Sequence, residues 1–391
     1  MKILITGYGA ISALGNNVPE HLDALKNGRT GIKTGTRDYS KMHMVGEVPG
    51  LRKELITKYD LQVSGSRTTI LGAIAAKEAF QNHAIHPSIR TGLISGTSVG
   101  GMDLSEIIYR DMQVDRSANY ELLRNHPSGD STTQIAKQLG IVGFHNTIST
   151  ACSSAANAII MGARMLKSGM LDRVVVGGTD ALSEFTVNGF RSLMILSDEW
   201  TQPFDENRKG LNLGEGAGYL VLETEASNAI SQAPIVGVLA GYGTASDAFH
   251  QTASSPEGLG AQLAIREALK VAELEPVAID YINAHGTGTP NNDLSESKAI
   301  QAVFGEIIPP FSSTKANTGH TLAACGGLEA VFSLLAIQNG LIYPNLNHST
   351  TIVETDLAPA KRLMTNQKID YVLSNSFGFG GNNTSLIFGK K

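Results

Sequence analysis

The chain alternates between short apolar runs and longer segments in which apolar residues recur every three or four positions. Continuous apolar runs that end in glycine predict buried strands at residues 91–99 and 173–178. The spacing of three and four predicts helices at residues 66–83 and 259–272. Strand and helix follow each other along most of the chain, so we expect an α/β protein whose sheet contains parallel strands.

Two segments share one pattern: a strand rich in Ser and Thr, a turn, and a helix of small residues. The first, residues 148–158, places Cys152 at the start of its helix. The second, residues 312–323, places His320 at the corresponding point. Ligand sites in α/β proteins form where strands end, so we expect Cys152 and His320 to face one cleft.

A polar connector at residues 224–234 separates the two segments and marks a predicted boundary. We therefore divide the chain into an N-terminal half, residues 1–230, which carries the cysteine, and a C-terminal half, residues 231–391, which carries the histidine. A chain of 391 residues is long enough for two domain-sized units or for one large duplicated one.

Composition narrows the class of protein. Apolar residues make up 42% of the chain and charged residues only 17%, which favours an extensive core and a buried subunit interface. A net charge of −5 argues against a nucleic-acid-binding protein, which usually carries a basic patch. We see no signal peptide, no apolar run long enough to span a bilayer, no disulfide framework and no metal-ligand spacing. We therefore expect a cytoplasmic protein without a membrane span or a bound metal.

The opening segment allows one alternative, a dinucleotide-binding turn. A strand that begins at Lys2 runs into Gly7-Tyr8-Gly9, which we interpret as a turn. The third glycine of the G-x-G-x-x-G fingerprint would fall at position 12, which is Ser12. The match is weak, and we predict no dinucleotide site.

Cys152 is the first candidate catalytic residue. It stands near the start of a predicted helix, where unpaired N–H groups and the helix dipole favour a thiolate, the nucleophilic form of cysteine. A buried cysteine that only packs is the alternative interpretation of this stretch taken alone.

A nucleophilic thiol needs hydrogen-bond donors where negative charge develops, and it needs a group that accepts and donates protons. Residues of the C-terminal half can supply both. His285 and His320 both lie after predicted strands and beside glycine, although each alone would be interpreted as a structural histidine. Lys315 ends a predicted buried strand, where a lysine needs a partner, and Glu329 in the following helix is the candidate.

The run Phe377-Gly378-Phe379-Gly380-Gly381 combines mobile glycines with two aromatic rings that can plug a pocket. A tight turn with core phenylalanines is the alternative interpretation.

These motifs occur in the order found in one known family. The motifs are Ile5-Thr6-Gly7-Tyr8-Gly9, Thr150-Ala151-Cys152-Ser153-Ser154, Pro203-Phe204-Asp205, Gly214-Glu215-Gly216-Ala217-Gly218, Asn283-Ala284-His285-Gly286-Thr287-Gly288-Thr289-Pro290, Ser313-Thr314-Lys315, Gly319-His320 and Asn375-Ser376-Phe377-Gly378-Phe379-Gly380-Gly381. Over nearly its whole length the chain resembles the β-ketoacyl-acyl-carrier-protein synthases, the decarboxylating condensing enzymes of fatty-acid and polyketide synthesis. The resemblance implies the thiolase fold, an α/β architecture of two pseudo-duplicated halves in five α-β-α-β-α layers.

The resemblance also implies roles for individual residues. Cys152 would accept the acyl chain, while His285 and His320 would bind the malonyl unit and assist the loss of its carboxylate. Backbone N–H groups of Cys152 and Phe379 would form the oxyanion hole. The other implied site residues are the charge pair Lys315 and Glu329, the gate residues Phe379 and Phe377, and Thr287 and Thr289 at the phosphopantetheine arm.

The implied partner is an acyl carrier protein, which brings acyl and malonyl groups on its own phosphopantetheine arm, so that the enzyme needs no cofactor. A homodimer, or a heterodimer with a homologous subunit, is expected. In an approximate alignment, Ser105 falls where other members carry a bulky aliphatic residue at the pocket entrance. A smaller residue there suggests a longer or stiffer acyl substrate.

Three alternatives compete with fatty-acid elongation. A specialised ketosynthase for aryl polyenes or other polyketides would work in a heterodimer with an inactive homologue. A non-catalytic chain-length partner would not need the intact set of Cys152, His285 and His320. A thiolase would use a second cysteine as base, and Cys325, which lies in a predicted helix five residues past His320, is poorly placed for that role.

Overall fold

The computed structural model describes residues 1–114 and 117–391 and shows a mixed α/β protein built on one large sheet. The strands are β1 (Ile3–Ser12), β2 (Lys33–Thr34), β3 (Met44–Gly46), β4 (Thr91–Gly96), β5 (His145–Ile148), β6 (Arg173–Asp180), β7 (Leu213–Gly214), β8 (Gly216–Thr224), β9 (Gly237–Ser246), β10 (Tyr281–Asn283), β11 (Phe311–Ser312), β12 (Tyr371–Gly378) and β13 (Asn382–Gly389). The helices are α1 (Val18–Lys26), α2 (Arg52–Lys58), α3 (Arg67–Phe80), α4 (Met102–Gln113), α5 (Ser128–Gln138), α6 (Ser154–Lys167), α7 (Glu184–Ser192), α8 (Glu225–Ser231), α9 (Leu259–Ala272), α10 (Pro290–Phe304), α11 (Lys315–Thr318) and α12 (Cys325–Asn339). Short 3₁₀ helices lie at Tyr120–Asn125, Pro276–Ala278 and Leu322–Ala324.

The topology of the large sheet repeats. Strands of the first half run in the order β1-β8-β6-β4-β5, and strands of the second half run in the order β9-β13-β12-β10-β11. In each set the first three strands pair antiparallel and the last two join in parallel. The two sets meet where Ile3–Ile5 of β1 pair antiparallel with Gly237–Leu239 of β9. β5 and β11 therefore hold equivalent places, which puts the Cys152 and His320 segments in equivalent positions. The division of the chain at residue 230 remains a prediction.

The helices complete the layers. α3 packs on β1, β8 and β6, while α9 packs on β9 and β13. α6 and α12 contact each other and also contact strands of both halves, so they form a middle layer. The predicted five-layer α-β-α-β-α arrangement is confirmed.

The predicted turn at Gly7–Gly9 is wrong, because β1 continues through both glycines. A Cβ on Gly7 would lie 2.1 Å from the Ala79 carbonyl oxygen, and a Cβ on Gly9 would lie 2.1 Å from the Ala75 carbonyl oxygen. These glycines therefore let the backbone of α3 approach the strand directly. The glycine pair serves packing between helix and sheet rather than a phosphate.

One stretch of the described chain, Leu322–Asn339, is long and apolar enough to cross a membrane, but 89% of it is buried inside the protein. It comprises a 3₁₀ turn and α12, whose buried residues include Leu328, Val331 and Phe332. The apolar character of α12 is thus explained by its place in the middle layer.

Candidate active site

Cys152 lies in the turn between β5 and α6. Ala151 has a φ of 52°, a left-handed conformation that an alanine keeps only when its surroundings hold it there. Ser154 Oγ donates a hydrogen bond to the Ala151 carbonyl at 2.6 Å and accepts one from the Thr150 N–H at 2.9 Å. Ser153 Oγ donates to the Thr150 carbonyl at 2.8 Å. The serines of the motif therefore brace the turn, and the thiol stands near the N-terminal end of α6, as predicted.

His320 lies in the corresponding turn of the second half. The Leu322 N–H donates to His320 Nδ1 at 3.1 Å, so Nδ1 is the acceptor and the ring proton lies on Nε2. The ring is buried, and it lines the same cavity as Cys152. The turn thereby leaves the Nε2–H of His320 as a hydrogen-bond donor.

His285 follows β10, and a buried carboxylate holds its loop. The N–H groups of His285 and Gly286 donate to the two oxygens of Glu296, at 2.9 and 2.8 Å. The rings of His285 and His320 are nearly perpendicular, with centroids 5.7 Å apart. Burial, and then the charge of Lys315, lowers the pKa of His285 well below its ordinary value. His285 is therefore a neutral imidazole at pH 7.

Lys315 and Glu329 form a buried ion pair, in which Lys315 Nζ donates to Glu329 Oε1. Burial alone would lower the pKa of Lys315, but the Glu329 carboxylate more than offsets this, and the pKa is raised. Neither side chain is among the described residues that line the cavity of Cys152 and the two histidines. The charge of Lys315 nevertheless reaches His285, since it is one of the causes that lower the pKa of that histidine, after burial.

The two predicted gate residues differ in position. β12 extends to Gly378, so Phe377 is a buried strand residue, with its ring 5.8 Å from that of His285. Phe379 lies beyond the strand, and its ring stacks on Phe190 at a centroid distance of 5.8 Å. An added Cβ on Gly378 would lie 3.1 Å from the Cys152 nitrogen, so this glycine allows the gate segment to touch the cysteine turn.

Two cavities meet at the thiol. The histidine cavity has a volume of about 310 Å³. Its lining includes Cys152, His285, His320, Phe377, Phe379, Thr287 and Thr289. The apolar cavity has a volume of about 360 Å³. Its lining includes Val99, Cys152, Phe185, Gly189, Phe190, Leu193, Leu322 and Phe379. Cys152, Phe190 and Phe379 border both, so a group attached to the thiol can extend into the apolar cavity while its reacting carbon faces the histidines.

The structure does not place Ser105 with the other predicted site residues. Ser105 lies on α4, where its Oγ bonds to His126 Nδ1 at 2.8 Å and donates to the Gly101 carbonyl at 3.3 Å. It lines neither the histidine cavity nor the apolar cavity of the described chain. The α4 helix turns this side chain toward the 3₁₀ segment at Tyr120–Asn125 and its following residue, His126. Contact between Ser105 and the substrate stays a prediction.

Sequence reasoning missed two residues of the site. Phe190 borders both cavities, and its ring centroid lies 6.3 Å from that of His320. Glu296 orients the His285 loop, and burial raises its pKa to about 7. Phe190 carries no local signal. Glu296 could have been found as a carboxylate on the same side of α10 as the apolar Ile300 and Val303, since a buried carboxylate needs partners.

Comparison with known proteins assigns the chain to a class. The profile described as "Beta-ketoacyl synthase, N-terminal domain" matches residues 1–228, and "Beta-ketoacyl synthase, C-terminal domain" matches residues 236–349. The chain belongs to the β-ketoacyl synthase family and is a condensing enzyme of the acyltransferase type. Among its relatives is 3-oxoacyl-[acyl-carrier-protein] synthase 2 of Staphylococcus aureus (strain MRSA252). That protein is 34% identical, with the alignment covering 100% of this chain and 98% of the relative.

Solved structures agree in fold. The ishigamide ketosynthase/chain length factor superposes with a TM-score of 0.93 at 30% identity, over 100% of this chain and 99% of that one. The ketosynthase ApeO in complex with its chain length factor ApeC, from Xenorhabdus doucetiae, superposes with a TM-score of 0.87 at 34% identity, over 100% and 98%.

Proposed function

We propose that this protein is a 3-oxoacyl-[acyl-carrier-protein] synthase that joins an acyl group held on Cys152 to malonyl carrier protein, with loss of carbon dioxide. The observation that carries the proposal is the convergence of one thiol, two imidazoles and an apolar cavity at a single point. A thiol accepts the acyl group, the imidazoles serve the malonyl unit, and the apolar cavity takes the chain.

In the first step the Cys152 thiolate attacks the carbonyl carbon of an acyl thioester on the carrier. The oxygen of the tetrahedral intermediate takes the negative charge, and the N–H groups of Cys152 and Phe379 are the proposed donors to it. The bond from carbon to the pantetheine sulfur then breaks, the pantetheine leaves as a thiolate that takes up the proton Cys152 had lost, and the acyl group remains on Cys152. The close approach of Gly378 to the Cys152 nitrogen supports this pairing of donors.

In the second step a malonyl thioester replaces the first carrier in the histidine cavity. The bond between its methylene carbon and its carboxylate breaks, carbon dioxide leaves, and the electron pair forms an enolate. The Nε2–H of His320 and the neutral ring of His285 stabilise the enolate oxygen by hydrogen bonding. The enolate carbon attacks the acyl carbonyl, the Cys152 thiolate leaves, and a 3-oxoacyl thioester remains on the carrier.

Lys315 and Glu329 act as a fixed charge pair. Two opposite charges buried together set the field at the imidazoles without exchanging protons with the substrate. Burial, and then the charge of the Lys315 ammonium, lowers the pKa of His285, so that the ring stays neutral and donates to the enolate through its one N–H.

Thr287 and Thr289 are the proposed contacts of the phosphopantetheine arm. Both line the histidine cavity, and their hydroxyl groups lie 2.8 Å apart. The arm belongs to the carrier, so the enzyme itself needs no cofactor. We propose the cytoplasm as the compartment, since both cysteines are free thiols.

A specialised ketosynthase in a heterodimer is the second candidate. Two of the superposed structures are ketosynthases paired with chain length factors. Among the residues that the structure describes, the edge strand β5 pairs on one side only, with β4, and it carries exposed side chains, so its other edge is available for a second subunit to cover. A homodimer and a heterodimer would both use this edge.

Loading the purified protein with a series of acyl carrier proteins, followed by intact mass measurement, tests the proposal. One acyl adduct on the wild type and on Cys325→Ala, none on Cys152→Ala, and a 3-oxoacyl product after addition of malonyl carrier support it. Formation of an adduct on Cys152→Ala would refute the assignment of the nucleophile. Analytical ultracentrifugation of the chain alone separates self-association from dependence on a homologous subunit.

A further inference from the structure

The turn that holds His320 is strained. Leu322 has a φ of 55°, in the left-handed region that a leucine rarely adopts. Its side chain is a wall of the apolar cavity, and its N–H is the donor to His320 Nδ1. A strained residue of this kind keeps its conformation only where neighbouring contacts hold it. The hydrogen-bond acceptor of the next N–H along the chain, that of Ala323, is therefore important for the conformation of Leu322.

That acceptor is Asp180, the fully buried last residue of β6. Its Oδ2 accepts the N–H of Ala323 at 2.9 Å, one peptide beyond Leu322. Two successive N–H groups of the turn therefore point to different acceptors, the first to His320 and the second to Asp180. Loss of the second bond would free the left-handed Leu322 to relax, and the first bond would lose its alignment.

The same carboxylate holds the opposite wall of the apolar cavity. Asp180 Oδ1 accepts the Thr97 hydroxyl at 2.5 Å and the N–H groups of Ser98 and Val99 at 3.1 and 3.2 Å. Ser98 and Val99 line the apolar cavity together with Leu322. One carboxylate thus joins two cavity walls that lie more than 200 residues apart in the chain. Hydrogen bonds to a charged acceptor are among the stronger ones in proteins, so the junction is stiff.

We propose that Asp180 is a positioning residue that aligns His320 for the condensation step by holding the Leu322 turn against the loop 97–99. The proposal rests on the proposed function for what His320 does. In this role Asp180 does not contact the substrate. It acts through the backbone of the Leu322 turn and through the backbone of the loop 97–99. The acyl cavity and the condensing histidine share this one support.

The test compares Asp180→Asn with the wild type. Asparagine keeps the shape but removes the charge and places an amide N–H₂ where an acceptor stood. We expect condensation with malonyl carrier to fall about tenfold or more, since a hydrogen bond to a charged group is lost. Transfer of an acetyl group to Cys152 should stay within about threefold, because so short a group does not need the cavity walls that Asp180 also holds. Asp180→Glu, which keeps the charge and provides a second variant that can fold, should show the same split at smaller size. Equal losses in the two steps, or no loss in either, would overturn the proposal.

A measurement without substrate separates this proposal from the proposed function. In protein labelled with ¹⁵N-histidine, His320 of the wild type should show one tautomer, with the proton on Nε2, and Asp180→Asn should show both. Asp280→Asn is the matched control, because Asp280 also accepts two backbone N–H groups, from Asp370 and Tyr371, outside both cavities. An unchanged His320 spectrum in Asp180→Asn would refute the positioning role, whereas a wild type that does not condense would refute only the proposed function.

Discussion

The Cys325 sulfur lies 3.8 Å from His320 Nδ1, the ring nitrogen that also accepts the Leu322 N–H. The thiol is buried, the Thr321 hydroxyl donates to it at 3.5 Å, and it lines neither described cavity. Burial raises the pKa of Cys325 to about 11, so it is a thiol at neutral pH. A thiolase-like role as a base in the cleft is therefore excluded by position as well as by charge.

Alkylation should distinguish the two cysteines. Only the thiolate reacts, and Cys152 borders both cavities while Cys325 is enclosed. We expect iodoacetamide at pH 7.5 to add one carbamidomethyl group, at Cys152, with loss of condensation. Peptide mass spectrometry locates the adduct. Modification of Cys325 in the folded protein, or modification of Cys152 without loss of activity, would contradict the assignment.

The histidines should separate the two chemical steps. His285→Ala or His320→Ala removes a donor from the malonyl side of the histidine cavity and leaves the Cys152 turn intact. We expect acyl transfer to Cys152 to survive at least in part, while carbon–carbon bond formation falls by about 10²-fold or more, the scale of losing one donor to developing charge. Stopped assays that follow the acyl-enzyme and the 3-oxoacyl product separately provide the measurement. A normal condensation rate in either variant would rule out the shared site.

Gly189 offers a test of the apolar cavity. It lies on α7, lines this cavity, and has no atom within 4 Å of the position of an added Cβ. Gly189→Phe should therefore place a ring at the wall of this cavity with no clash at its Cβ, so that long acyl groups load one or two orders of magnitude more slowly and short ones load normally. Loading rates for a series of chain lengths give the readout.

Two variants control this experiment. Gly189→Ala should load all chains normally and stabilise the helix by up to about 1 kcal/mol. Ser105→Phe should not select by chain length if the single chain forms the whole pocket, because Ser105 faces His126. Chain-length selection by Ser105→Phe would instead support a place for Ser105 at the pocket entrance, with the pocket completed by a second subunit.

Removing the charge of only one partner of the buried pair Lys315 and Glu329 should destabilise the protein. Glu329→Gln leaves the Lys315 ammonium buried without its counter-charge, and Lys315→Met leaves the carboxylate alone. Each single variant should lose about 3–5 kcal/mol of stability. The double variant Lys315→Met/Glu329→Gln should lose less than the sum. Urea unfolding measures all three, and strict additivity would mean that the two charges do not stabilise each other.

Stability should fall in weak acid, in part because of His21. Burial lowers the pKa of this histidine from 6.5 to about 4, and its ring nitrogens bond to Ser12 Oγ and the Asn17 carbonyl. Between those pH values the unfolded chain binds a proton that the folded chain does not, so stability is present above pH 6.5 and is lost as the pH falls toward 4. The His21 contribution to this loss is about 2 kcal/mol at pH 5.

Urea unfolding at pH 7.5 and pH 5.0 checks the effect of His21. His21→Gln should be less stable than the wild type at pH 7.5 but should show a smaller drop between the two pH values. An equal drop in both proteins would mean that His21 does not take part in the acid response.

Patterns among neighbouring residues of the sequence predicted several elements of the fold and the main residues of the candidate site. The predicted helix 259–272 matches α9, because its apolar spacing agrees with the face it buries. Cys152, His285 and His320 could be named in advance because each stands in a motif at the end of a strand, and strand ends converge in α/β proteins. The pairing of Lys315 with Glu329 followed from the cost of burying a lone charge.

Only the tertiary structure decided the roles of residues that depend on contacts with distant parts of the chain. Gly7 and Gly9 lie in a strand rather than a turn because α3, about 70 residues away, needs contact with the bare backbone. Ser105 faces His126 rather than a cavity. Asp180 acquires its place between the 97–99 loop and the Leu322 turn only when both halves are assembled. A motif reports the chemistry of neighbouring residues, whereas hydrogen bonds and close contacts between remote segments form only when the whole chain has folded.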